Sequence, residues 1–362
     1  MARTDNLTNF LTDVSSAIKT KKGDDTPIKA SNFDTEITNL PTGSGGADLD
    51  EYFYGSGTGG TGSTSGGYWA RLVKNLKPLT GLPAQCAYYF YMYQGEEIDL
   101  SQVPLNTTIT HCANMFASTK CKKIDISRLN FDGVTTTANM FNDIGSAEII
   151  LGNNRFPNSK TFTRMFSSNT QATDLPIENI DYSNVTAMDY FMYNATKVEK
   201  EQIDIYAPVC KNFYYAFYNC DKVKNIKLKS DVPVTSMGYC FGSSENLVSV
   251  DIEGLDLSGL VGTSASTGIT NLVTSCGNLQ TLKFGTNYGA GFSSTLSANS
   301  TGAGLELQYC GKLTKESVID LFNKLADISS KNTQRIVLHN SVKNQLTDVE
   351  KAIATNKGWT VA

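Results

Sequence analysis

The tetrapeptide Ala113-Asn114-Met115-Phe116 recurs unchanged as Ala138-Asn139-Met140-Phe141. Continuing the same step reaches Phe90 upstream and Phe166, Phe191, Phe217 and Phe241 downstream. The intervals are 26, 25, 25, 25, 26 and 24 residues. Self-similarity at a fixed period marks a repeat architecture, in which each unit leaves an apolar face for its neighbour to cover. A second signal keeps step. Short apolar runs follow most anchors: Ile98-Asp99-Leu100, Ile124-Asp125-Ile126, Ile149-Ile150, Ile226-Lys227-Leu228 and Val250-Asp251-Ile252. Alternation over so few residues predicts a short strand with its apolar side inward and its aspartates outward. The runs after Phe166 and Phe191, Leu175-Pro176-Ile177 and Ile203-Asp204-Ile205, fit less regularly.

The segment GLVGTSASTGIT (259–270) interrupts the series. It resumes where GNLQTLKF (277–284) matches ENLVSVDI (245–252), with Val273 as an eighth anchor. The expected fold is mainly β with some α: a leucine-rich-repeat-like solenoid of about eight units of 24–26 residues over roughly 82–286. Phenylalanine is then the rigid filler of one layer. The residues just before the anchors (Tyr89, Met115, Met140, Met165, Tyr190, Ala216 and Cys240) form a packing column. Of the eight cysteines none forms a C-x-x-C pair. Cys86 and Cys112 each lie four residues before an anchor, and Cys220 and Cys276 three after one. Cysteines in register read as small buried rungs kept reduced, not as disulfides or zinc ligands.

The flanks differ in kind. Phe10, Leu11, Val14 and Ile18 follow helical spacing with Leu7, and Gly23-Asp24-Asp25 stops that helix. Ser31 offers a cap for a second helix carrying Phe33, Ile37 and Leu40. Residues 1–40 thus read as a small helical module that needs a partner surface. Residues 41–80, rich in Gly, Ser and Thr, read as a flexible linker. Residues 81–310 are assigned to the repeats and 311–362 to an α/β capping unit. In that unit Thr314 caps a helix bearing Val318, Leu321, Phe322 and Leu325. Arg335 to Leu338 is a strand, and Thr347 and Glu350 form a capping box. Gly358 ends the last helix, and Trp359-Thr360-Val361 closes the chain as a strand.

A net charge of −4 and a pI near 5.4 give no broad electropositive field, so nucleic acid is not an expected partner. No secretory signal, 18-residue apolar run or lipidation motif is visible, and no membrane is expected. The G-x-G-x-x-G at Gly55, Gly57 and Gly60 lacks a strand before it and a helix after it, so it is read as linker, with no cofactor. The two histidines, His111 and His339, fall in different parts of the chain and supply neither a triad nor a metal site. Asp99, Asp125, Asp204 and Asp251 form an outward acidic row, read as a solvated face before a glycosidase pair. The aromatic runs YYFYMY (88–93), DYFMYN (189–194) and NFYYAFYN (212–219) place tyrosines on both sides of the anchors. Either they extend the core with their hydroxyls at its rim, or Tyr91, Tyr93, Tyr193, Tyr214 and Tyr218 form a recognition surface.

The pattern in MFASTKCKKIDIS (115–127) and IDYSNVTAMDYF (180–191) resembles BspA-type leucine-rich repeats of bacterial surface proteins and phages. LTKESVIDLFNKLADIS with LTDVEKAIATNKGWTVA is similar to the ending of such proteins in phages of Gram-positive bacteria. The head, with Ala17-Ile18-Lys19, Lys22-Gly23 and Pro27-Ile28, resembles a module that opens many phage tail and baseplate proteins. The resemblance implies a virion structural protein of the tail tip or baseplate, made in the host cytoplasm. Its partners would be other virion proteins, engaged through Phe10, Leu11, Val14 and Ile18, further copies of itself, and a host cell-surface glycan or protein. The rival expectations are a purely architectural virion protein and, third, a cell-wall-degrading tail enzyme.

Overall fold

The computed structural model describes Leu79, residues 81–93 and 95–362, and, further upstream, only Ser15 and Lys19, both helical. The chain divides into two units, Met1–Phe53 and Tyr54–Ala362. The assigned attachment residues Phe10, Leu11, Val14 and Ile18, the second helix, the body of the Gly/Ser/Thr-rich linker and its G-x-G-x-x-G all lie outside the described residues.

The described chain is mainly β. Its strands are short and lie in small sheets in which every pairing is parallel; none of these sheets closes into a barrel. β1 (Thr107–Thr108) pairs β3 (Leu129–Asn130), and β2 (Lys123–Asp125) pairs β4 (Glu148–Ile150). A larger sheet runs in the order β5 (Ile203–Tyr206), β6 (Asn225–Lys229), β7 (Ser249–Gly254), β8 (Thr281–Lys283). β9 (Leu305–Leu307), β10 (Gln334–Leu338) and β11 (Trp359–Val361) form the last, with β10 central. Three α-helices have both ends described: α1 (Lys315–Lys324), α2 (Asn340–Lys343) and α3 (Asp348–Thr355).

Two of the expected strands are absent. Ile98-Asp99-Leu100 keeps only an isolated bridge, Glu97 to Lys123. Leu175-Pro176-Ile177 runs into a 3-10 turn (Ile177–Asn179). Proline brings no N–H to a ladder, and the sheet is broken there: β4 and β5 are not paired. The outward row is also not acidic throughout. Register sets Asp204 beside Lys227, Lys227 beside Asp251, and Asp251 beside Lys283. Charges alternate down that face, the arrangement that cross-strand pairing favours.

The phenylalanine column is present, with Phe90, Phe116, Phe141 and Phe166 stacked at centroid distances of 5.3, 5.6 and 5.6 Å. All are fully buried. At the next rung the sequence reading is off by one. The amide of Phe166 donates to the Phe191 carbonyl (3.0 Å), as Phe141 does to Met165 and Phe116 to Met140, whereas Met192 donates to Ala216 (2.7 Å) as Phe217 does to Cys240. Met192 is therefore the fifth anchor. Phe191 occupies the preceding column with Met115, Met140, Met165, Ala216 and Cys240. Accordingly its ring meets Phe166 and Phe217 edge-on, at 74° and 76°.

Each rung is an arc of consecutive turns. Tyr89, Tyr91 and Tyr93 donate back three residues, to Cys86, Tyr88 and Phe90, while Tyr88, Phe90 and Met92 donate across to Ala113, Met115 and Ala117 of the next rung. Every amide from Tyr88 to Tyr93 is thereby paired. The arc demands left-handed backbone two residues before and two after each anchor. The first set is Tyr88, Asn114, Asn139, Arg164, Tyr190, Tyr215, Tyr239 and Asn271; the second is Met92, Ser118, Asp143, Ser168, Asn194, Asn219, Ser243 and Ser275. All sixteen have φ between 51° and 61°. Asparagine and aspartate tolerate that region best among non-glycine residues.

The position three residues after the anchor is buried, and at four rungs it holds a donor: Asn169, Cys220, Ser244 and Cys276 donate to the carbonyls of Phe141 (2.9 Å), Met192 (3.3 Å), Phe217 (3.2 Å) and Phe241 (3.1 Å). Beyond the last anchor, Cys310 donates to the Val273 carbonyl (3.5 Å) in the same way. Burial of a carbonyl requires such a partner, so cysteine here serves as a weak donor as well as a small residue. All eight cysteines are free and buried.

The C-terminal unit follows its capping signals. Thr314 accepts from the Ser317 amide (3.3 Å), and Thr347 and Glu350 close a reciprocal capping box. Lys357 donates to the carbonyls of Phe322, Asn323 and Leu325 at 2.8–3.0 Å, satisfying the C-terminal end of α1.

Candidate functional site

The left-handed position two before each anchor points its side chain out of the arc, where rungs five to seven carry Tyr190, Tyr215 and Tyr239. These rings form one column. Tyr190 stacks on Tyr215 at 5.0 Å and 4°, and Tyr215 on Tyr239 at 4.5 Å and 5°. A second column stands one residue after the anchor, with Tyr193 stacked on Tyr218 at 5.5 Å. The two columns meet edge-on, Tyr215 with Tyr218 at 5.0 Å and Tyr190 with Tyr193 at 5.4 Å. Tyr214 stands perpendicular to Tyr215 at 4.7 Å. All six tyrosines are half-buried.

Small residues make room for them. A Cβ on Gly242 would lie 3.1 Å from the Tyr218 ring, and one on Gly238 would lie 2.1 Å from the Ala265 carbonyl oxygen and 3.3 Å from the Tyr214 ring. Gly238 thus seats the inserted segment against the tyrosines. That segment holds a 3-10 turn (Ala265–Thr267) behind a Ser264–Thr267 capping box, and it exposes Thr263, Ser264 and Ser266. It is tied to 300–302: Ile269 donates to the Gly302 carbonyl (3.1 Å), and the Ser300 hydroxyl to that of Gly262 (2.7 Å).

At the other end of the column the exposed Arg164 lays its guanidinium over Tyr190, 4.6 Å from the ring centroid. Beside the tyrosines runs an amide pair, with Asn219 Nδ2 donating to Asn194 Oδ1 (2.9 Å). Burial pushes the phenols of Tyr214 and Tyr215 up, and the neighbouring tyrosines push them further. Both are neutral hydroxyls at neutral pH.

Of the residues expected to form a recognition surface, Tyr193, Tyr214 and Tyr218 are brought together. Tyr91 is half-buried at the first rung, edge-on to Tyr88 at 5.5 Å, four rungs before Tyr193. Tyr93 is corrected: it is fully buried and donates its hydroxyl to the Glu97 carbonyl (2.9 Å), because three residues after an anchor is the interior column. The sequence reading missed Tyr190, Tyr215, Tyr239 and Arg164. Taking Met192 as the anchor would have aligned Tyr190 with Tyr88, Tyr215 and Tyr239.

Other candidate chemistry is tied down. Asp99 and Asp125 line one shallow hollow with Ser101, Ser127 and Arg128. The Ser101 amide donates to Asp99 (2.8 Å), and the Ser127 amide and hydroxyl donate to Asp125 (3.0 and 2.6 Å). The Ser101 side chain and then its amide hold Asp99 below its ordinary value. For Asp125 desolvation acts upward and is outweighed by Ser127 and Lys123. A general acid needs the opposite shift. His111 is exposed, and His339 caps α2 by accepting from the Ser341 amide. Among the described residues no group of three His, Cys, Asp or Glu is placed to hold a metal ion, and no helix is long and apolar enough to cross a membrane.

Residues 89–206, about a third of the chain, match the family described as "Mycoplasma protein of unknown function, DUF285". The match runs from the first rung through the fifth, the one carrying Tyr190 and Tyr193. No curated protein and no solved structure matches.

Proposed function

We propose that the rungs stack as one leucine-rich-repeat-like solenoid. We propose further that the chain is a non-enzymatic structural protein of a phage tail tip or baseplate, which contributes to host-surface recognition through that solenoid. Residues 1–40 attach it to other virion proteins, 41–80 act as a joint, 81–310 recognise, and 311–362 cap the stack. The observation that supports recognition is the lateral surface of rungs four to seven, where six half-buried tyrosines, Arg164 and a serine/threonine-rich insertion share one flank. Half-buried aromatic rings that carry a polar group are among the residue types that binding surfaces concentrate. The resemblance of the head and the ending to phage proteins supports the virion assignment.

One observation favours the architectural rival: the tyrosines stack largely on one another, which a purely structural ladder would also do. Adsorption separates the two. The full chain, purified and mixed with cells of a phage-susceptible host, should bind them and block infection. Binding no greater than to non-host cells leaves the architectural role. Deletion of 1–40 should abolish incorporation into particles, and particles that still carry the shortened chain would refute the attachment assignment.

A further inference from the structure

Arg164 occupies the same left-handed position as Tyr190, Tyr215 and Tyr239, so its guanidinium continues their column. It is exposed, lies over the Tyr190 ring at 4.6 Å from the centroid, and makes no ion pair or side-chain hydrogen bond among the described residues. The carboxylate nearest in register, Asp189, is engaged elsewhere. Its Oδ1 accepts from Thr163 Oγ1 (2.8 Å) and Asn212 Nδ2 (3.3 Å). A guanidinium fixed by stacking keeps its fork of N–H donors available in one plane, which suits a bidentate oxyanion. Running away from it are neutral hydrogen-bonding groups only: the hydroxyls of Tyr190, Tyr215 and Tyr239 in one column, those of Tyr193 and Tyr218 in the next, and the Asn194–Asn219 amides. One fixed cation at the head of an uncharged row rich in hydroxyls and amides does not suit a polyanion such as nucleic acid, which needs many cations. Nor does it suit an acidic peptide, whose backbone groups pair best with a strand edge, because the residues of this flank lie in turns and in none of the strands.

We infer that this flank binds an acidic polyhydroxylated polymer, one oxyanion on Arg164 and its hydroxyl-rich chain along the tyrosine columns. The inference deepens the proposed recognition role and rests on it. Carboxylated glycans and polyol phosphates share this chemistry.

The test uses the full chain and three probes in titration calorimetry: oligogalacturonate, its methyl ester, and poly(glycerol phosphate). Binding to oligogalacturonate or to poly(glycerol phosphate), at least tenfold tighter than to the ester, is expected; which of the two binds identifies the source of the oxyanion. Arg164→Gln should remove that preference while circular dichroism and melting stay unchanged, and Arg164→Lys, which keeps the charge without the fork, should recover only part of it. An ester that binds as tightly as the better of the two acidic probes, no binding of any probe, or full retention in Arg164→Gln would overturn the inference. The host-cell adsorption described above is independent of these probes. A chain that adsorbs to host cells but ignores all three loses this ligand class and keeps its recognition role; one that adsorbs to no host cell loses the role itself.

Discussion

At the scale of single residues, the repeated tetrapeptide resolves into distinct jobs. Asn114 and Asn139 supply left-handed backbone, Met115 and Met140 fill an inner column, and Phe116 and Phe141 fill the anchor column. Phe141 stacks between Phe116 and Phe166 with no exposed surface, so Phe141→Ala should cost about 3–5 kcal/mol, read from the denaturation midpoint. Asn169 is the more informative position. Its Nδ2 donates to the Phe141 and Phe166 carbonyls, and its Oδ1 accepts from the Ile144 amide, all at 2.9 Å in the interior. Asn169→Leu keeps the volume and leaves three buried backbone groups unpaired, at about 1–3 kcal/mol each. A loss of at least about 3 kcal/mol is expected, and a loss below about 1 kcal/mol would mean that this column is filler only. The phenylalanine period was legible in the sequence because a bulky residue in one layer can be replaced by little else. Met192 was hidden because Phe191, its neighbour, looked like the better anchor, and one residue of slip turned Tyr190 from a flank residue into a core one.

Among the elements, legibility followed the strength of local signals. The C-terminal caps at Thr314 and Thr347 were readable because capping is chemistry of three or four adjacent residues. The runs at 124–126, 203–205, 226–228 and 250–252 were readable as strands because two apolar residues flank one polar residue, but the same spacing misled at Ile98-Asp99-Leu100, which keeps only a bridge, and at Pro176, where it ends in a 3-10 turn. The left-handed positions of the arcs carried no glycine or proline to announce them, since they hold Asn, Ser, Tyr, Arg, Met and Asp. The cap also sets a pH dependence. Lys315 at 2.7 Å and the Thr347 amide at 2.7 Å hold Glu350 down to about 2, from an ordinary value of 4.5. A depressed carboxylate stabilises the fold above its unfolded value and loses that contribution as pH falls towards the folded one. Unfolding monitored at Trp359, packed within this unit, should therefore weaken between pH 4.5 and about 2, and Glu350→Gln should flatten that part of the profile. An unchanged profile in the variant would show that other carboxylates set the acid limit.

Across the whole molecule, the repeating positions and the varying ones divide the work. The repeating positions fill the buried columns, and the varying left-handed column carries the candidate recognition chemistry. The same column offers a way to erase that chemistry without unfolding the chain, because Asn114, Asn139 and Asn271 already occupy three of its other rungs. Replacing Tyr190, Tyr215 and Tyr239 together by Asn trades ring stacking of about 0.5–1.5 kcal/mol per pair for relief of left-handed strain of similar size, so the fold should survive. The decisive measurement is adsorption of this triple variant, as a full chain, to cells of a susceptible host beside the unaltered protein. The account predicts a variant that melts within a few degrees of the parent and no longer adsorbs; a folded variant that adsorbs as well as the parent would contradict it.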